Sequence, residues 1–156
     1  MNQILLISVR PRFAARILSG EKTVELRRVR PRVGAGDCVL IYVSSPVKAL
    51  AATFVVAEVI QASPSRLWRE TQSEAGVTSR EFKSYFAGVT TAYAISLKQG
   101  QVLRSPVTLD AIRHAWPGFR PPQSYRYLTH QDASLLSPSL FAKTSRSGSF
   151  QAAQHL

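Results

Sequence analysis

Between Gly20 and Arg27 the chain reads Gly-Glu-Lys-Thr-Val-Glu-Leu-Arg. This stretch restricts the fold more than any other, because a helix has to end and a strand has to begin inside it. Upstream, Pro11 opens a helical pattern with Phe13, Ala14, Ile17 and Leu18 on the core face and Arg12 and Arg16 on the solvent side. Ser19-Gly20 ends that helix, since glycine takes the left-handed conformation without a Cβ penalty. Downstream, strand alternation from Thr23 to about Val29 sends Val24 and Leu26 into a core and puts Thr23, Glu25 and Arg27 on the opposite, exposed face. A carboxylate and a guanidinium are thereby aligned about 7 Å apart along the strand. Lys22 lies one residue outside the alternation, so the turn at Gly20 has to swing its ammonium toward the same cleft.

The flanking segments supply a core for that strand. Gln3 to Val9 is an apolar run that reads as a strand buried on both faces, and Cys38 to Ser44 is a second one behind the Gly34-Ala35-Gly36-Asp37 turn. Ala49 to Ile60 is the longest β-like run, with Glu58 facing outward. Ser63-Pro64-Ser65 opens a helix carrying Leu67 and Trp68, and Thr78-Ser79-Arg80-Glu81 is a capping box ahead of Phe82, Tyr85 and Phe86. Thr90 to Leu97 alternates as a strand, Gln99-Gly100-Gln101 reads as a turn, and Val102 to Val107 as a short last strand. Thr108 caps a helix through His114 or Ala115. From Trp116 to Tyr127 the chain is rich in proline and aromatic residues and reads as an ordered loop. Residues 1–136 are expected to form one domain, and residues 137–156, polar and without periodicity, a disordered basic tail.

The spacing Gly20-x-Lys22-x-x-Glu25-x-Arg27 resembles the signature of the ASCH domain, a branch of the PUA-like superfamily of small β-barrels that bind RNA. Tyr42-Val43-Ser44-Ser45-Pro46-Val47-Lys48 and Pro121-Pro122-Gln123-Ser124-Tyr125-Arg126-Tyr127-Leu128 are similar to stretches of small prokaryotic ASCH proteins. The resemblance covers roughly residues 3 to 128. It implies an α+β fold: a PUA-like mixed β-barrel of five or six strands with flanking helices.

Charge points the same way as the resemblance. The 156 residues carry 20 Lys+Arg against 9 Asp+Glu, a formal net charge of +11, and the excess is concentrated around the motif in Arg10, Arg12, Arg16, Lys22, Arg27, Arg28, Arg30 and Arg32. Such a surface favours polyanions. No apolar run reaches the ~18 residues that span a bilayer, and the first residues carry no basic segment ahead of an apolar one. We therefore expect no membrane partner and a cytoplasmic location. The single cysteine, Cys38, excludes an intrachain disulfide and a cysteine-cluster metal site. His114, His130 and His155 fall in no metal-ligand spacing, so neither metal nor cofactor is expected.

The expected function is binding of RNA, a nucleotide or DNA in a basic cleft. Its walls would be Lys22, Glu25, Arg27 and Arg28, the Ser44-Ser45-Lys48 turn, and Gln123-Ser124-Tyr125, with Arg27 and Lys48 on phosphate, Glu25 accepting from a base or ribose donor and Tyr125 stacking on a base. The alternative is a small hydrolase acting on RNA or a modified nucleoside, with Lys22 and Glu25 catalytic. An acetylcytidine amidohydrolase of the wider ASCH group reads Gly-x-Lys-Thr-x-Thr-x-Arg. Glu25 stands here in place of its second threonine, and Glu74 lies within a residue or so of its distant glutamate. A third reading makes Glu25 the partner of Lys22 or Arg28 in a structural ion pair. Sequence leaves the oligomeric state open.

Overall fold

The computed structural model describes residues 2–136. The basic tail at 137–156 lies outside the described residues. The elements run β1 (Ile4–Val9), α1 (Pro11–Leu18), β2 (Val24–Arg27), β3 (Cys38–Val43), β4 (Ala49–Ala62), α2 (Pro64–Thr71), α3 (Ser79–Tyr85), β5 (Ala92–Thr108), α4 (Leu109–Ala115), β6 (Tyr125–Leu128) and α5 (His130–Leu136). The six strands form one mixed sheet in the order β2-β5-β4-β3-β1-β6. β1 and β3 are parallel, joined by a crossover that contains α1, and the other neighbours are antiparallel.

β1 lies between β3 and the edge strand β6 and is covered on both of its faces, which is why its side chains are apolar at successive positions. Ile4 and Leu6 pack on one face with Leu40, Tyr42, Ile112 and Phe119, while Leu5, Ile7 and Val9 pack on the other with Ile17, Ile41 and Val56. A third cluster joins Val24 and Leu26 of β2 to Leu67, Phe82 and Phe86 of the α2–α3 layer. Local signals set the helix starts. Ser63 accepts from Arg66 N, Thr108 accepts from Ala111 N, and Thr78 with Glu81 forms a reciprocal capping box.

β4 and β5 are the long spine, and their pairing shifts register at three places, between Leu50 and Ala52, Thr53 and Val55, and Val56 and Glu58. Bulges bend and twist a strand pair. The sheet curls until its two edges approach one another, with side chains instead of a ladder bridging the gap. The Arg32 amide donates to Tyr127 Oη at 2.6 Å, and Arg27 Nη1 donates to Ser124 Oγ at 2.8 Å. The expected mixed barrel with flanking helices is thus a six-stranded half-barrel.

Three boundaries differ from the sequence expectation. The expected turn at Gln99-Gly100-Gln101 is an irregularity within the single strand β5, where Gln99 takes a positive φ of 49°. Gly100 is needed there for space: an added Cβ would stand 2.3 Å from Phe54 Cε1. Pro106 lies on the part of β5 beyond the reach of β2, an edge where its missing N–H breaks no ladder. The motif strand is shorter than expected, stopping at Arg27. The Trp116–Tyr127 loop ends in an edge strand, β6, followed by α5, and sequence periodicity revealed neither.

Candidate nucleic-acid interface

Beside β2, between α1, α3 and the segment leading into β6, lies a cavity of about 700 Å³. Lys22, Glu25 and Arg27 line it together with Gln123 and Ser124. Gly20, at φ +84°, makes the turn that sends Lys22 inward, and the Lys22 amide donates to Arg16 O at 2.9 Å. Arg10, Arg12 and Arg80 are exposed residues on the cavity wall, alongside Phe13, Val77, Phe82 and Tyr85. The cavity is therefore cationic at its mouth and apolar along one side.

Lys22 is only 5% exposed. Its Nζ donates to Ala75 O at 2.6 Å, and among the described residues no carboxylate lies within ion-pair distance of it. Burial lowers its pKa; Glu25 opposes that shift, while Arg16 and Arg27 add to it. The segment Glu74-Ala75-Gly76 forms the cradle. Glu74 O accepts from Thr23 N at 2.8 Å and Val24 N at 3.3 Å, and Gly76 O accepts from Arg16 Nη1. Gly76 has φ +62°, and an added Cβ would meet Lys22 Cβ at 2.7 Å and Cγ at 3.0 Å.

Glu25 and Arg27 occupy the expected face of β2, but they are largely covered, with side chains 15% and 11% exposed. Their closest ion-pair approach is 3.9 Å, between Glu25 Oε1 and Arg27 Nη2. Glu25 has neither Lys22 nor Arg28 as an ion-pair partner. Among the described residues, Glu25 Oε2 and Arg27 Nε are buried without a hydrogen-bond partner. The Arg27 guanidinium also lies over the Tyr125 ring at 5.1 Å. It fastens the Gln123–Tyr125 segment across the cleft, with help from Ser8, whose Oγ donates to Pro122 O at 2.6 Å and whose amide donates to Ser124 O at 2.9 Å.

The remaining candidates sit elsewhere. Arg28 donates to the carbonyls of Tyr85 and Ala87 at 2.7 and 3.0 Å, so it ties down the C-terminal end of α3 and does not line the cavity. Ser44, Ser45 and Lys48 are also absent from the lining. Their turn adjoins it through Ser44 N, which donates to Val9 O at 2.9 Å. Tyr125 is 42% exposed beside the cavity. Glu74 is exposed and contributes its carbonyl, not its carboxylate, to the site.

Sequence reasoning placed Glu81 only in a helix cap, yet it also lines the cavity. Glu81 Oε1 accepts from Thr78 N at 2.9 Å, while Arg12 Nη2 stands 3.0 Å from Oε2 and Arg16 Nη1 3.9 Å from Oε1. The Thr78 amide, foremost, and then the Thr78 hydroxyl hydrogen bond and the two arginines hold its carboxyl below the usual value. A depressed folded pKa gives stability that is present above the unfolded value of about 4.3 and is lost as pH falls through the folded one. Melting curves between pH 6 and pH 3 should therefore fall less steeply for Glu81→Gln than for the wild type. An unchanged acid limb would contradict this.

Fold and site together define a small α+β half-barrel with a cationic cavity beside its motif strand. The chain belongs to the ASCH domain family, whose model matches residues 7–100. An ASCH domain-containing ribonuclease of Zymomonas mobilis is 33% identical over 130 residues, covering 83% of this chain and 87% of that protein. The crystal structure of ASCH from Zymomonas mobilis superposes with a TM-score of 0.80 at 32% identity, over 86% of this chain and 94% of that one. The N-terminal domain of Thermococcus gammatolerans McrB bound to m5C DNA shares the fold, with a TM-score of 0.57 at 15% identity, covering 91% and 99% of the two chains.

Proposed function

We propose that this protein binds single-stranded RNA in the cavity beside β2, with phosphates on Arg10, Arg12 and Arg80 and a base or ribose donor on Glu25. The carrying observation is the pair of buried, unpartnered polar atoms, Glu25 Oε2 and Arg27 Nε, on side chains that line a cavity ringed by arginines. Native structures leave few buried polar groups unsatisfied, and two of the four such atoms among the described residues belong to side chains that line this one cavity. The exposed Tyr125 ring beside the opening offers a stacking surface, which suits a single strand whose bases are free.

Three phosphate contacts on a single strand give a slope of about −2 in log affinity against log salt. Fluorescence anisotropy with a labelled oligoribonucleotide between 50 and 200 mM salt measures it, and a flat response would remove this reading.

A second reading, cleavage of the bound RNA, is favoured by the chemistry of Lys22 and by the likeness to the Zymomonas ribonuclease. A buried amine with a lowered pKa can take the proton of a ribose 2′-hydroxyl. The oxygen then attacks the neighbouring phosphorus, the bond to the 5′-oxygen breaks as the proton held on Lys22 passes to that oxygen, and Arg27 offsets the charge that develops. Wild-type protein should leave 2′,3′-cyclic phosphate ends, and Lys22→Met should leave intact RNA. Cleavage undiminished in Lys22→Met would contradict the assignment.

A further inference from the structure

Lys22 carries a second chemistry that proton transfer does not use. A lysine this buried ordinarily has a carboxylate partner. Here the amine has a neutral carbonyl, Ala75 O, and its charged neighbours are of both signs, Glu25 and Glu81 against Arg16 and Arg27. Its stem is packed against Gly76, where there is no room even for a Cβ, so this residue of the cavity lining is held on a rigid support beside Glu25 and Arg27. Burial disfavours the ammonium and so favours the neutral amine, the form in which a lysine is a nucleophile toward carbonyl carbon.

In a nucleic-acid strand the carbonyl carbon open to such attack is the C1′ aldehyde of an abasic sugar. The ring-opened sugar has lost its base, so it enters a cavity of about 700 Å³ without a base to accommodate. From the placement of this amine among nucleic-acid-binding groups we infer that Lys22 forms an imine with abasic sites and cuts the strand on their 3′ side. The inference rests on the nucleic-acid reading of the cavity, and goes beyond binding or cleavage of intact RNA.

Lys22 Nζ adds to C1′, and the carbinolamine expels water to give a protonated imine. The imine acidifies the C2′ hydrogen. Glu25, the carboxylate on the same cavity wall, takes that proton while the electron pair forms a C2′–C3′ double bond and the C3′–O bond breaks. The downstream strand leaves with its 5′-phosphate. Water then hydrolyses the imine, freeing Lys22 and an unsaturated aldehyde on the upstream strand, so no oxidant or reductant is consumed. Arg27, facing the same cavity, can hold the departing phosphate.

The test uses the full chain and a labelled single-stranded oligodeoxynucleotide with one abasic site, incubated with and without borohydride, which reduces an imine to a stable amine. With borohydride the wild type should give a covalent protein–DNA band whose peptide map places the adduct on Lys22. Without it, the strand should be cut at the abasic site. Lys22→Met should lose at least nine-tenths of the adduct while keeping a cooperative melt, and Glu25→Gln should still give the adduct but cut the strand at least tenfold more slowly. RNA affinity is measured in parallel on each protein. A wild type that binds RNA with the expected salt dependence but traps no adduct would overturn this inference alone, as would an adduct on Lys48 or the N-terminal amine. Loss of both RNA binding and trapping in the wild type would overturn the binding reading as well.

Discussion

Replacing Gly76 with alanine should lower the melting temperature by roughly 4–20 °C and disable the cavity. Two effects add. A non-glycine residue in the left-handed region costs roughly 1–2 kcal/mol, and Gly76 sits at φ +62°. Extra volume forced into a packed site costs about 1–3 kcal/mol more, and the new Cβ would meet the Lys22 stem at 2.7 Å. At this chain length each 1 kcal/mol moves the melting temperature by about 2–4 °C. Relief can come only by displacing the Lys22 stem or by shifting the segment whose carbonyls hold Thr23, Val24 and Arg16. Lys22-dependent chemistry should therefore fall with stability. Differential scanning calorimetry together with the RNA assays reads both, and a variant as stable and active as the wild type would show that the cradle is not required.

Arg27→Ala should weaken RNA binding at least tenfold. Its guanidinium holds the Gln123–Tyr125 segment through Ser124 Oγ and the Tyr125 ring, and it is the cation nearest Glu25 along β2. A hydrogen bond to a charged group contributes about 1.5–3 kcal/mol, and about 1.4 kcal/mol is a factor of ten in affinity. The truncation also leaves Glu25, only 15% exposed, without its neighbouring cation. Ser124→Ala removes one of the Arg27 contacts and keeps the guanidinium, so it should weaken binding less. Equal losses in the two variants would mean that the clasp, and not the charge, carries the affinity.

What sequence could reveal here follows the range of the interactions. Pro11, the Thr78-x-x-Glu81 box and the Val24/Leu26 alternation are local devices, and each of them produced the element it announced. β1 and β3 were legible as apolar runs because both of their faces are buried. The cradle of Lys22 was not. The oxygen that holds its amine is the carbonyl of Ala75, 53 residues away, and a carbonyl is the same on every residue, so nothing in Glu74-Ala75-Gly76 marks it. Resemblance drew attention to the carboxylate of Glu74 when the contribution was its backbone oxygen.

Arg28 shows the same limit in another form. A guanidinium beside a motif reads as a phosphate ligand, yet this one is engaged by the last carbonyl of α3 and by Ala87 O just past it, an end that comes near it only through the fold. β6 is four residues long and lies on the sheet edge, where one-sided burial leaves little periodicity to find. The continuity of β5 through Gly100 depends on Phe54 lying where a side chain would otherwise be.

The most direct test of the central claim is the affinity of one labelled single-stranded RNA for the wild type, Arg27→Ala and Arg104→Ala, measured side by side at a fixed salt concentration. The two variants lose the same charge. Arg27 lines the cavity, and Arg104 is an exposed residue of β5 outside it. Binding in the cavity predicts at least a tenfold loss for Arg27→Ala and less than a twofold loss for Arg104→Ala. Equal losses would mean that the RNA follows net charge alone and that the cavity is not its site.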